Sequence, residues 1–171
     1  MNWAGVTGAN SFVFEAFFRA NNLDIKKVPY RNTVEAANDL AQNRVQVYES
    51  AVAIAQPQLQ AGKIKLLAML NSMRAPVYPG VPTVAEAGHP ELTTDGLVGL
   101  FGPSSMPAAI RERIASDVTS VIESDPIIKD RLIATGQMPN PGTSAELAAA
   151  IEEQRIRVGA AAKTLGLAIR K

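Results

Sequence analysis

Cysteine is missing from this sequence altogether, which excludes disulfides, thiolate nucleophiles and thiolate metal sites. Histidine occurs once, at His89, so no metal is expected: an imidazole-built zinc or iron centre has too few ligands. His89 lies beside Pro90 with no serine or acid at triad spacing, and reads as a solvated loop residue rather than a catalytic one. The net charge is only +1, which gives no electrostatic case for nucleic acid or an anionic membrane as partner. No apolar run approaches the ~20 residues of a membrane-spanning helix, and there is no signal peptide in this chain. A GxSxG elbow is also missing, so an α/β enzyme has neither activated nucleophile nor paired acid and base. The reading is therefore no enzyme and no cofactor.

What remains is an apolar chain. With 171 residues, 47% of them hydrophobic, it can bury one sizeable core as one domain or two small lobes. The stretch NWAGVTGANSFVFEAFFRANNLDIKKVPYR organises the rest, reading as strand end, small polar turn, apolar helix and second strand. That is half of a βαβ ligand-binding unit. Gly5, Thr7, Gly8, Ala9, Asn10 and Ser11 stand just before the helical run, so the turn's N–H groups and the helix's positive end suit an anion. Asn10 or Ser11 is the expected N-cap, and Glu15 and Arg19 form an i,i+4 pair. Four of the five phenylalanines (Phe12, Phe14, Phe17, Phe18) lie in this helix. A helix apolar on nearly every side is covered on more than one face, so part of its cover is expected from a partner chain or from residues upstream.

Further on, DIKKVPY fits a strand ending at Pro29, and Asn32 caps a helix with Glu35 three residues later. Arg31, Asn32 and Thr33 thus form a second helix-start turn at the same sheet edge as the first, where open α/β sheets bind ligands. Each turn also reads simply as a capped helix start. VQVYES is a short strand with Ser50 and Ala51 at its carboxyl end, followed by a helix containing Pro57. IKLLAML reads as a buried parallel strand, and Thr83 to Ala87 as a short helix with Thr83 and Glu86 in a capping box. Arg74 could reach a carboxylate or tie its loop together; the structural role is preferred. Pro107 opens a helix with Ile110, Ile114, Val118 and Val121 at helical spacing. Asp125 caps a helix that Gly136 ends, and Thr143 with Glu146 opens a long one, striped by Leu147, Ile151, Gln154, Val158, Ala161 and Leu165, that Gly166 closes. That stripe reads as a packing face rather than a coiled-coil seam.

The string GVTGANSFVFEAFF followed by KKVPYRNTVEAANDLAQNRVQV resembles the GxGSSxHLAxELF and HVPYKGGxPAxxDLLGGQVDV stretches of Bug-type (TctC-like) periplasmic solute receptors of tripartite tricarboxylate transporters. AGKIKLLAMLNSMRAPVYPGVPTVAEAGHPEL resembles that family's AGKLRALAVTSxxRSPxxPDVPTxxEAGxPG, and LVGLFGPSSMP its WxGLFAPAGTP. The four strings come in order at the right spacing. The resemblance implies an α/β fold: a lobe of the type II periplasmic-binding-protein kind, with βαβ units and a mostly parallel sheet, over residues 1–97. A crossing strand and C-terminal helices over 98–171 would return to the first lobe. Family members carry roughly a hundred more residues before the turn, in keeping with a usual two-domain chain, so most of the first lobe is expected to be absent from this chain. Periplasmic localisation is implied by resemblance alone.

The implied function is binding of a small mono-, di- or tricarboxylate, without chemistry, for a membrane transporter. The contacts would come from Thr7, Gly8, Ala9, Asn10 and Ser11, from Arg31, Asn32 and Thr33, and from Ser50 and Ala51. Two family aspartates are replaced here by Gln46 and Ser50, which makes a neutral site suited to plain carboxylates rather than amino-group ligands. The alternative is a non-binding assembly or vestigial fragment that oligomerises through its apolar first helix. A homo-oligomer is expected in either case, with exchange of the C-terminal helices about Gly96, Gly99 and Gly102 as one route.

Overall fold

The computed structural model of the chain describes residues 1–6 and 8–166. At its centre is a three-stranded parallel sheet in the order β2-β1-β3, made of β1 (Asn2–Val6), β2 (Lys26–Tyr30) and a two-residue β3 (Val47–Tyr48). The connections are α1 (Ala9–Ala20) and α2 (Thr33–Ala41), the βαβ order of an α/β lobe. Gly5 stands beside Pro29, and Ala4 beside Tyr48. Pro29 is tolerated because β2 is an edge strand.

Trp3 and Ala4, both fully buried, point to opposite faces of the sheet because strand side chains alternate. On the Trp3 face, Phe14 stacks at 5.8 Å and Phe18 meets the indole edge-on at 5.5 Å, so α1 covers that side. On the Ala4 face, Tyr30, Ala36 and Val45 form the cluster that seats α2.

The outer side of α1 is covered from within the chain, by residues downstream of it, where part of that cover was expected from a partner chain or from residues upstream. Val13 packs with Val84 and Leu92, and Phe17 meets the His89 ring edge-on at 5.0 Å. The long helix α6 (Ser144–Thr164) lies along α1; of its stripe, Ala161 packs against the Val13 cluster while Ile151 is exposed. It is tied down by Arg19, which donates to the Leu165 carbonyl at 3.2 Å, and by Arg157, which donates to that of Thr93. Phe18 is buried, Phe14 and Phe17 are half-buried, and only Phe12 reaches the exposed class. Local pairing differs as well: Glu15 pairs with Lys27 at 2.6 Å across to β2, a nearer partner than Arg19 on its own helix.

α3 (Val52–Gln60) follows β3 and accommodates Pro57 in its interior. The run 64–70, read as a buried strand, makes one parallel bridge, Met69 to Thr83, and leaves Leu67 73% exposed. Residues 96–102, read as a crossing strand, are not in any sheet, and Val98, Leu100 and Phe101 are exposed. Both differences have one cause: backbone ladders need a neighbouring edge, and β3 ends after two residues.

Thr83 and Glu86 do exchange both capping bonds, Thr83 N–H to Glu86 Oε2 at 2.8 Å and Glu86 N–H to Thr83 Oγ1 at 3.1 Å, but the segment is a single turn rather than a helix. Arg74 has the preferred structural role, bonding Glu86 and the Pro79 carbonyl. α4 (Ala108–Ser124) and α5 (Pro126–Ala134) contain no buried residue. The α4 stripe of Ile110, Ile114, Val118 and Val121 is exposed along its length. Among the described residues no helix is long and apolar enough to cross a membrane.

Candidate functional site

Parallel strands bring their carboxyl ends to one edge, and the three turns singled out in the sequence all lie there. β1 leads into the α1 turn, β2 into 31–33, and β3 into Ser50 and Ala51. Of the first turn, Thr7 lies outside the described residues. Gly8 is the N-cap of α1, with extended backbone (φ 169°) and no side-chain cap. That corrects the expectation that Asn10 or Ser11 caps the helix: Ala9 is its first residue, and Asn10 and Ser11 are within its first turn.

Asn10 and Ser11 then part company. Ser11 is 2% exposed, and its N–H donates to the Gly8 carbonyl at 3.2 Å. Its side chain is thus packed inward, so the two residues do not line one pocket together. Asn10 lines the cavity at the sheet's carboxyl edge, and its amide Nδ2 donates to Glu49 Oε1 at 3.1 Å.

The second turn is a built helix start. The Asn32 side chain accepts from the N–H groups of Val34 at 2.9 Å and Glu35 at 3.4 Å, and the Thr33 carbonyl accepts from the Tyr48 hydroxyl at 3.1 Å. Arg31 is exposed. None of Arg31, Asn32 and Thr33 lines the cavity that Asn10, Ser50 and Ala51 share. Ser50 is turned onto its neighbour, its hydroxyl donating to the Ala51 carbonyl at 3.0 Å.

Glu49 is the residue that sequence reading passed over. Val47 faces the same side as Trp3, its partner across the ladder, so alternation returns Glu49 to the α1 side and sends Ser50 to the other. The bond to Asn10 shows that it arrives there. The signal was in the string VQVYES, two residues beyond Val47. The cavity's edge thus carries a carboxylate at Glu49, which the reading drawn from Gln46 and Ser50 did not take into account.

Behind the edge, Tyr30 donates to Asp39 Oδ2 at 2.8 Å, and Arg44 donates to Asp39 Oδ1 at the same distance. Burial first, then the bond to Asp39, pushes the Tyr30 hydroxyl up to about 12, while the Tyr30 hydroxyl and then Arg44 hold the Asp39 carboxyl below its usual value. This network fixes α2 against β2 and leaves the turn at 31–33 little freedom. Burial also raises the Tyr48 hydroxyl.

The cavity itself is about 2320 Å³ and extends from Asn10 and Glu49 past the 94–106 run to α4 and α6. Small-molecule pockets span roughly 300–1,000 Å³, so this one is a gap between the sheet and the C-terminal helices; its end at the sheet's carboxyl edge, lined by Asn10, Glu49, Ser50 and Ala51, is the candidate recess. Among the described residues no group of three or more acidic, histidine or cysteine side chains could hold a metal.

Comparison with known proteins gives this geometry its context. A protein from R. palustris, solved with adipate, superposes with a TM-score of 0.82 at 26% identity, covering 98% of this chain and 56% of that one. A structure described as a periplasmic transporter gives 0.78 at 26% identity, over 96% of this chain and 54% of its own. The periplasmic binding protein BugD, at 19% identity and a TM-score of 0.68 over 96% of this chain and 56% of its own, shares the fold. Among curated sequences, a UPF0065 protein of Pseudomonas sp. (strain P51) is 28% identical over 63% of this chain and 32% of its own length. A UPF0065 protein of Agrobacterium vitis is 27% identical over 82% and 40%. The chain thus spans about a third to two fifths of these two relatives and just over half of the solved structures. The model of the tripartite tricarboxylate transporter family receptor matches residues 2–167. Matched along nearly its whole length to a family of receptors rather than of enzymes, the chain belongs to the tripartite tricarboxylate transporter receptor family.

Proposed function

We propose that this chain forms the ligand-binding lobe of an extracytoplasmic solute receptor, holding a small carboxylate at the carboxyl edge of its sheet for a membrane transporter. The observation that carries the reading is the match of residues 2–167 to the receptor family, together with superposition on a protein solved with adipate. The α1 N-terminus and the end of β3 meet the cavity at one edge, where helix N–H groups suit an anion without chemistry, while the 31–33 turn lies at the same sheet edge outside the cavity. Periplasmic residence follows from the same relatives.

In this reading the polar recess is half of a site. The rest of the cavity, with Leu97, Phe101 and the α4 stripe around it, suits a second α/β lobe packed against the C-terminal helices, with residues 1–97 as one unit and 98–171 as the arm that crosses to it. Closure of two lobes on a ligand is the mode of trapping expected of such receptors.

A second reading is favoured by one observation: Val98, Leu100 and Phe101 are 88%, 72% and 82% exposed beside an α4 without a buried residue. Contiguous apolar surface of this kind marks an interface. Self-association would therefore proceed through this face and not through α1. One experiment separates the readings. Thermal melting with mono-, di- and tricarboxylates is followed alongside mass by light scattering. A receptor lobe gains stability as ligand exceeds its Kd, by about 2.7 kcal/mol at a hundredfold excess. Melting that no carboxylate shifts, in a chain that only oligomerises, would leave the assembly reading.

A further inference from the structure

We propose that Glu49 sets the ligand class of this site, selecting a carboxylate that carries a hydrogen-bond donor, hydroxyl or ammonium, beside the carboxylate group and disfavouring the plain dicarboxylate. The inference rests on the receptor reading above and adds to it which carboxylates are taken. Asn10, in the first turn of α1, is held by Glu49 Oε1 at 3.1 Å, and both line the recess. A ligand carboxylate drawn to the α1 N-terminus therefore arrives within a few ångströms of a fixed negative charge. Like charges this close repel, whereas a ligand that presents a donor to Glu49 converts the same acid into an acceptor.

A second carboxylate reinforces the selection. Asp95 lines the same cavity, and its Oδ1 accepts from the Ser72 N–H at 3.0 Å and hydroxyl at 3.1 Å. The cations that line the cavity are Lys63 and Lys65, both exposed, and Arg111, which pairs with Glu112; none of them forms an ion pair with Glu49 or Asp95 among the described residues. The acid at 49 thus meets the ligand uncompensated, on the α1 side of the edge.

The test uses three ligands with one skeleton: succinate, malate and aspartate, which differ only by hydrogen, hydroxyl or ammonium on one carbon. Binding to the chain is measured by titration calorimetry. Malate or aspartate should bind at least about tenfold more tightly than succinate, the effect of one hydrogen bond to a charged acceptor. Glu49→Gln, which keeps a carbonyl for Asn10, should narrow that ratio by weakening aspartate and tightening succinate while the melting temperature without ligand stays put. Asn71→Ala, on the same cavity but away from the Glu49 contact, should leave the ratio as in the wild type. Succinate binding as tightly as the other two, or a ratio that Glu49→Gln does not move, overturns the role of Glu49 and leaves the receptor reading standing. No binding of any of the three, nor of adipate, overturns the receptor reading and this inference with it.

Discussion

Replacing Phe18 by alanine should remove a large share of this protein's stability, because Phe18 joins the helix at the site to the sheet. Its ring is 8% exposed and lies 5.5 Å from Trp3, 6.0 Å from Phe14 and 5.9 Å from Phe17. Truncating a buried phenylalanine costs about 3–5 kcal/mol, from lost transfer energy and from the cavity left behind. Edge-on aromatic pairs of this kind are worth about 0.5–1.5 kcal/mol each beyond their buried area, which places the site toward the upper part of that range. For a chain of this size the melting temperature should fall by about 6–20 °C. Trp3 is the one tryptophan and is 0% exposed, so its fluorescence reports unfolding in urea without labelling. Phe101→Ala is the matched control, since that ring is 82% exposed and its loss should change stability by no more than about 0.5 kcal/mol. A Phe18→Ala loss under about 1 kcal/mol, or equal losses at the two positions, would refute the packing of α1 on the sheet through Phe18 and Trp3.

Two other outcomes follow from named contacts. The Tyr30 hydroxyl, pushed from 10.0 to about 12, keeps in the folded state a proton that the unfolded chain releases. Its contribution is therefore complete below pH 10 and is lost as pH rises toward 12, and urea midpoints across that range should fall less steeply for Tyr30→Phe. Asp39 has the opposite sign: held below its usual carboxylate value by the Tyr30 hydroxyl and then Arg44, it stabilises above that value and ceases to as pH drops through the depressed one. Thr143→Ala should cost about 0.5–2 kcal/mol, because the Thr143 hydroxyl accepts from the Glu146 N–H at 3.2 Å and the pair forms a closed capping box. Thr143→Ser should restore the urea midpoint, and a midpoint equally low in both variants would count against the cap.

How much of this was legible depended on how local the determining physics is. Helix starts were readable because a cap is decided within four residues. Asn32, Asp125 and Thr143 each accept from amides two or three positions on. The exception is instructive: Gly8 caps α1 with no side chain at all, so the polar neighbours Asn10 and Ser11 looked like the better candidates. Two helix ends were also passed over, where Asn22 (φ 54°) and Asn43 (φ 58°) take the left-handed conformation that glycine usually supplies. Strands were legible only where a neighbour was guaranteed. β1 and β2 flank one helix and pair in full register, whereas the equally apolar runs 64–70 and 96–102 had the composition of strands and no edge to join.

The site shows the same division at finer grain. Its place at the carboxyl edge followed from topology, since parallel strands connected by helices must end together. Which side chains enter the recess did not, because that turns on a single step of alternation along two residues past β3. Ser50 was favoured by matching a motif position, but Val47 opposite Trp3 fixes the phase, and the phase gives the α1 side to Glu49. Likewise, counting phenylalanines identified α1 as a helix that needs cover, but only the fold shows that α6, some 130 residues later, provides it through Arg19 and Leu165. The uncovered apolar surface then had to be elsewhere, and it is: on α4 and the run before it, whose periodic isoleucines and valines have the pattern of a buried stripe but stay exposed, α4 containing no buried residue.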